Sequence, residues 1–351
     1  MTLLLFALGL ALLIGGAELL VRGASRLATA AGIPPLVVGL TVVAFGTSAP
    51  ELAVTTAATL RGDSAIALGN VVGSNILNVL LILGISAAVA PLVVQKRVVR
   101  LEVPIMIGIS AIVVLFALDQ GISRLEGLLL LGGGLVYTGG LVVQARRNGI
   151  ENGDIESTAA PLTIAAALGY LALVGAGLAL LVVGSRWIVE GATTMARALG
   201  VSDLVIGLTI ISVGTSLPEL ATSILASVRN ERDLAVGNII GSNVFNLLIV
   251  LGTSAAVAPG GIVVPLSALT FDLPVMLAVA LACLPIFFTG RRIDRVEGFT
   301  FLAFYVGYTL YLVLTATQHE AVDELGHALL FFALPLTALI LALSVVRELR
   351  D

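Results

Sequence analysis

The sequence predicts an all-α polytopic membrane protein made of two inverted five-helix repeats, with an eleventh helix at the C-terminus. Three observations carry that prediction. The 351 residues are 58% hydrophobic and only 11% charged, whereas soluble chains carry about 25% charged residues. Apolar runs of roughly 20 residues, the length that crosses a bilayer as a helix, recur along the chain. The two halves also repeat one another. Residues 36–84 align with 204–252 at a constant offset of 168, and 24 of the 49 positions are identical.

Breaks at charges, Pro and Gly place spans near 3–21, 33–60, 64–90, 101–118, 124–144, 161–186, 200–228, 233–258, 271–289, 296–316 and 328–346. The first run lacks a basic leader and a small-residue cleavage site, so it reads as a retained helix. A membrane barrel would show alternating ten-residue segments, and the sequence has none. Abundant glycine, 38 residues, suits close helix packing where lipid supplies no drive to associate.

The repeat extends past the aligned block. "RLEVPIM" at 100–106 echoes "TFDLPVM" at 270–276, and "ISRLEG" at 122–127 echoes "IDRVEG" at 293–298. The units are therefore 1–144 and 161–316, joined by a polar linker at 145–160 and followed by an unpaired segment, 317–351. Five spans per unit is an odd number, so the second copy enters the membrane from the opposite side. Of the 18 Lys and Arg, Arg61, Arg124, Arg186 and Arg197 fall on one side and the other fourteen on the opposite side. By the positive-inside rule the N-terminus is outside and the C-terminus inside.

Composition removes several function classes. A single cysteine, Cys283, excludes a disulfide framework and argues against a thiolate metal site. No basic stripe or aromatic array suggests nucleic acid. No nucleophile–base pair stands out, so the chain does not read as an enzyme, and no cofactor is implied. His319 and His327 lie in the polar segment before the last predicted helix, apart from the motifs.

Those motifs come in two matched pairs. "GTSAPE" (46–51) and "GNVVGSNILN" (69–78) stand in the first repeat, "GTSLPE" (214–219) and "GNIIGSNVFN" (237–246) in the second. Thr47 and Ser48 precede Glu51 by four and three residues, a spacing that aligns three oxygens on one helix face. Thr215, Ser216 and Glu219 repeat it; Ser74 with Asn78, and Ser242 with Asn246, are four apart. Pro50 and Pro218 lack an N–H and strip the carbonyls of Gly46 and Gly214 of their helical partners. At membrane depth such carbonyls must be buried in protein or line a cavity, where they can bind cations.

Glu51 and Glu219 weigh most. An acid at mid-bilayer costs roughly 2.5–3.5 kcal/mol on insertion scales, so two in equivalent positions imply a compensating cation or proton. Hydroxyl, amide, carbonyl and carboxylate oxygens suit a hard cation such as Ca²⁺ or Na⁺. Single features have ordinary readings: a lone Ser or Thr back-bonds to its own helix, and Gly69, Gly73, Gly237 and Gly241 serve close packing. Asn70, Asn75, Asn238 and Asn243 read equally well as supporting hydrogen bonders. Glu18, Glu102, Glu190 and Asp272 fall near predicted span ends, where solvation or a helix N-terminus accounts for them.

Together the motif pairs resemble the alpha repeats of the calcium/cation antiporters, most closely the prokaryotic sodium/calcium exchanger branch, with the repeats at 39–84 and 207–252. The resemblance covers residues 1–316. It implies four cation sites at midplane, shared by Ca²⁺ and Na⁺, with Glu51 and Glu219 as the common carboxylates. Thr47, Ser48, Ser74, Thr215, Ser216 and Ser242 match its oxygen donors, Ala44 and Ser212 its backbone carbonyls, and Asn78 a polar position in the central site. Asn246 stands where some members carry Asp, which leaves two acids and leans against a potassium requirement. The implied activity is secondary Ca²⁺/Na⁺ antiport in a prokaryotic plasma membrane. The implied partners are lipid and small cations, without an obligate protein partner, as monomer or homodimer. Proton-coupled antiport, or exchange of another divalent cation, is the alternative.

Overall fold

A computed structural model of the chain describes residues 2–151, 163–201, 203–206, 209–210, 212–288, 290–319, 321–322 and 325–326. The segment predicted as an eleventh helix, 328–346, and most of the linker lie outside the described residues. Ten helical segments follow in order. They are α1 (Thr2–Ala31), α2 (Pro35–Leu60, in two arms), α3 (Ser64–Val89), α4 (Val98–Asp119), α5 (Arg124–Glu151), α6 (Ile164–Ala198), α7 (ending in Leu217–Val228), α8 (Arg232–Val257), α9 (Ala268–Phe288) and α10 (Arg295–Ala316). Eight of them are unbroken and long and apolar enough to cross a membrane.

α1 and α6 run past the predicted limits of 21 and 186. Arg22 and Arg186 mark where the apolar run ends, but backbone hydrogen bonding needs no apolar side chain. Glu18 and Arg22, four apart, pair across one turn and support the extension. The two remaining segments are broken. α2 bends by 44° between Pro35–Thr47 and Ala49–Leu60, directly before Pro50. In α7 the described residues include Asp203–Ile206, Ser212–Gly214 and Leu217–Val228, and the helix is interrupted by a turn at Thr215–Ser216.

Equivalent pieces of the two halves meet each other. A Cβ on Gly16 would lie 2.8 Å from the carbonyl of Gly177, and one on Gly9 would lie 2.9 Å from that of Gly184. α1 and α6 therefore pack backbone to backbone, running antiparallel. The seven-residue spacings Gly9, Gly16, Gly23 and Gly177, Gly184, Gly191 provide this seam, a signal present in the sequence that the motif reading passed over. Gly84 against Gly298 and Gly252 against Gly127 make a second matched pair of close approaches.

Two short ribbons tie the halves at their ends. β1 (Leu92–Val93) pairs antiparallel with β4 (Arg292–Ile293), and β2 (Gly121–Ile122) with β3 (Ile262–Val263). The main apolar core runs through both halves, from Leu36 and Leu68 to Phe287 and Ile293. α3 and α8 sit at its centre. α8 has 89% of its apolar window buried, against 6% for α10 at the rim.

Candidate cation-binding site

The broken arms bring the acids to this centre. Ser48, at the α2 break, has φ −83° and ψ 6°; Ser216 of α7 has φ −90° and ψ 8°. Each then starts a helix with Pro near its first position, where the missing N–H costs nothing, and Glu51 and Glu219 fall in the first turns. There the partial positive end of the helix favours an acid. Glu51 is 0% exposed and Glu219 1%.

The hydroxyls do not serve the glutamate on their own helix, as the shared-face spacing predicts; they cross between repeats. Ser48 Oγ donates to Glu219 Oε1 at 2.9 Å, and Ser216 Oγ donates to Glu51 Oε1 at 2.8 Å. The break at Ser48 and Ser216 turns each hydroxyl off the helix face that uninterrupted geometry would give it. Ser216 also reaches Ser74 Oγ at 3.2 Å.

Thr47 and Thr215 engage supporting amides. Thr47 Oγ1 donates to Asn238 Oδ1 at 3.1 Å, and Thr215 Oγ1 to Asn70 Oδ1 at 3.2 Å. Asn238 in turn donates to Ser223, and Asn70 to Thr55, both at 2.9 Å. These bonds settle the open reading of Asn70 and Asn238: each amide orients the threonine arriving from the other repeat. The Ala44 carbonyl accepts from Ser48 N–H at 3.0 Å and lies 3.4 Å from Thr47 Oγ1. At the matching point the Ser216 N–H reaches Val213 instead of Ser212.

Asn78 and Asn246 each open a π-helical turn, Asn78–Leu83 and Asn246–Val250, an irregularity concentrated at functional sites. Asn78 Nδ2 donates to Asn243 Oδ1 at 2.9 Å. Asn243 reaches the Asn75 carbonyl at 3.4 Å.

What stays unsatisfied defines the chemistry. Among the described residues Glu51 Oε2, Glu219 Oε2, Ser242 Oγ, Asn78 Oδ1, Asn75 Oδ1 and both polar atoms of Asn246 are buried without a hydrogen-bond partner. Buried polar atoms rarely go unpaired. Thr59, Ser86, Arg97, Thr193, Thr222 and Arg232 also carry an unpartnered buried atom outside the motif pairs; within the pairs nearly all are oxygens, and oxygen acceptors without a donor are what a dehydrated hard cation replaces its water with.

Other sequence readings need correction. Glu102 is not at a solvated span end: it is 0% exposed, paired with Arg97 Nε at 2.9 Å and accepting from Tyr137 O–H at 2.8 Å. Its counterpart Asp272 accepts from Tyr308 O–H at 3.0 Å. Glu18 lies inside α1 and also meets Arg229 at 2.6 Å. Glu190 is exposed on α6. Gly237 and Gly241 do serve close packing, against Leu36–Gly39 and Leu40–Ala44, but a Cβ on Gly69 or Gly73 would meet nothing within 4 Å. His319 accepts from the Ala321 N–H two residues on; His327 lies outside the described residues. Cys283 is buried.

Comparison with known proteins identifies the family. The sodium/calcium exchanger protein family model matches residues 1–143 and 169–314. The sodium/calcium exchanger MaX1 of Methanosarcina acetivorans is 33% identical, over 88% of this chain and 97% of its own length. The inner membrane protein YrbG of Escherichia coli is 42% identical, over 79% of this chain and 86% of its own. Among solved structures, the sodium-calcium exchanger NCX_Mj superposes with a TM-score of 0.76 at 30% identity, covering 87% of this chain and 96% of that one. This chain is an integral membrane protein of the sodium/calcium exchanger family.

Proposed function

We propose that the chain is a secondary antiporter that exchanges Ca²⁺ for Na⁺ by alternating access, at a site between the two motif pairs. One observation carries the reading: two fully buried carboxylates each hold one oxygen to a hydroxyl from the other repeat and keep the second without a partner. The family match supports it, as does the exchange named for MaX1 and NCX_Mj.

The mechanism follows from charge. One Ca²⁺ between Glu51 and Glu219 neutralises both carboxylates, and Na⁺ ions held with the hydroxyls and amides do the same. Thr47, Ser48, Ser74, Asn78, Thr215, Ser216, Ser242 and Asn246 supply the neutral oxygens, with the carbonyls of Ala44 and Ser212. The empty site leaves two desolvated acids in low dielectric, which opposes closure over it. Only a loaded site passes between the two faces, so transport is exchange and not leak. Gly46, Pro50, Gly214 and Pro218 keep the arms broken at this depth. The excess of Lys and Arg on one face orients that face to the cytoplasm, with the N-terminus outside, in a prokaryotic inner membrane.

The test is Ca²⁺ uptake into vesicles with either a Na⁺ or a pH gradient imposed while the other is clamped. Sodium-driven uptake is expected. Uptake that follows pH and ignores Na⁺ turns the reading into proton-coupled antiport.

A further inference from the structure

The Arg-rich end of the molecule is fastened, and its counterpart is not. Ser25 of α1 donates to Glu231, in the turn between α7 and α8, at 2.7 Å. About two turns earlier on α1, Glu18 meets Arg229 of the same loop at 2.6 Å. Two independent contacts thus tie α1 to the loop that leads into α8.

The offset of 168 maps each member onto the opposite end. Ser25 corresponds to Thr193 of α6, Glu231 to Asp63 and Arg229 to Arg61, the last two in the turn between α2 and α3. The acid–base pair on the helix is kept but reversed: Glu18 and Arg22 on α1 correspond to Arg186 and Glu190 on α6. A hydroxyl, an acid and an opposite pair of charges are therefore in place at both ends. At the second end none of the cross-contacts is made. Thr193 Oγ1 is buried without a hydrogen-bond partner. Asp63 instead stands 3.6 Å from Arg61 of its own turn, and Glu190 makes no ion pair among the described residues.

The motif glycines show the same one-sidedness. Gly237 and Gly241 of α8 are filled by the first arm of α2, while Gly69 and Gly73 of α3 face nothing within 4 Å among the described residues. One end is fastened; among the described residues the equivalent end is not.

We propose that Ser25–Glu231 with Glu18–Arg229, and Thr193–Asp63 with Glu190–Arg61, are two alternating clasps, one closed whenever the other is open. They are positioning residues: they touch no transported ion and set which face the site addresses. The proposal rests on the exchange reading above and adds to it the contacts that hold each face shut. A hydroxyl donating to a carboxylate is a charge-assisted bond, strong enough to bias two otherwise matched states, and near-equal energies follow from the repeated sequence.

The test uses the full chain in inside-out and right-side-out vesicles, with half-saturating Ca²⁺ measured at each face. Ser25→Ala is expected to lower the half-saturating Ca²⁺ at the Arg-rich face and raise it at the other, about ten-fold in ratio. Thr193→Val should do the reverse, and the double variant should return near the wild-type ratio. A purely structural role would weaken both faces together. Variants that shift both faces alike, or neither, overturn the proposal. The ratio is read with whichever ion drives uptake, so failure of sodium coupling in the wild type is a separate result. Independently, in a Cys283→Ala background, Ser25→Cys with Glu231→Cys and Thr193→Cys with Asp63→Cys should each cross-link and arrest flux until reduced. If the second pair never cross-links under any cation condition, the second clasp does not exist.

Discussion

The first and second motif pairs share nearly every polar residue, yet they are not packed alike. Where ions would bind, the two match closely: Ser48 to Glu219 and Ser216 to Glu51 differ by 0.1 Å (2.9 against 2.8 Å). Around that centre they diverge. α8 is pressed against the arm of α2, whereas among the described residues nothing lies within 4 Å of a Cβ on the equivalent glycines of α3. Asn78 is bonded and Asn246, its equivalent, is not. Symmetric chemistry in an asymmetric frame is what one member of a pair of exchangeable states would show.

The largest expected effect falls on what the two halves share. Glu51→Gln or Glu219→Gln removes one of two charges facing the cation, and exchange should fall by more than about 100-fold, since hydrogen bonds and charges in low dielectric weigh heavily. Flux in vesicles measures it. Normal exchange by either variant would show that the buried acids are structural.

Next come the glycines, where the halves should differ. A Cβ on Gly241 would sit 2.8 Å from Leu40 Cα, so Gly241→Ala crowds backbone and should destabilise by about 1–3 kcal/mol. Gly73→Ala meets open space and should gain roughly 0.5–1 kcal/mol from helix propensity. Thermal unfolding in detergent compares them. Gly73→Ala should nevertheless slow exchange, because the opposite state needs that face filled by α7. Equal stability effects would mean that the glycine asymmetry is not a property of the populated state.

How much of this was legible in the sequence divides along the same line. The ten described helical segments, the broken arms and the places of the four motifs with both acids follow from local patterns: hydropathy, Pro50 and Pro218, and spacing. The crossing of Ser48 to Glu219 does not, because intervals of three and four describe one helix, and the bond joins residues 171 apart. Glu102 fails for the same reason: a partner in Tyr137, 35 residues on, makes a buried site of what hydropathy reads as a span end. The unequal roles of Gly69 and Gly237 were not reachable from their motifs, since GNVVGSN and GNIIGSN differ only by Val for Ile and cannot say which is packed. The glycine seam of α1 and α6 was reachable, from its seven-residue period.

The crossed hydroxyls should again behave as a matched pair. Ser48→Ala and Ser216→Ala each remove a bond to a carboxylate, about 1.5–3 kcal/mol, so half-saturating Ca²⁺ should rise by roughly ten-fold or more in both. Ser216 also reaches Ser74, which tilts any inequality toward a larger loss for Ser216→Ala. An effect in one variant alone would place the asymmetry inside the cation site itself.

The smallest effect separates the two asparagines. Asn78→Ala leaves the Oδ1 of buried Asn243 without the donor it now has at 2.9 Å, and orphaning a buried acceptor costs about 1–3 kcal/mol. Asn246→Ala breaks no hydrogen bond, because neither of its polar atoms has a partner, and it removes two unsatisfied groups. Both truncations leave a similar gap at 0–1% exposure, so the cavity cost cancels in the comparison. Unfolding without cations should therefore find Asn78→Ala the less stable of the two. Adding Ca²⁺ should stabilise each variant less than it stabilises the wild type, since Asn78 Oδ1 and Asn246 Oδ1 both lack the positive partner that a bound cation would give them. If Ca²⁺ stabilises both variants as much as the wild type, neither amide is a ligand.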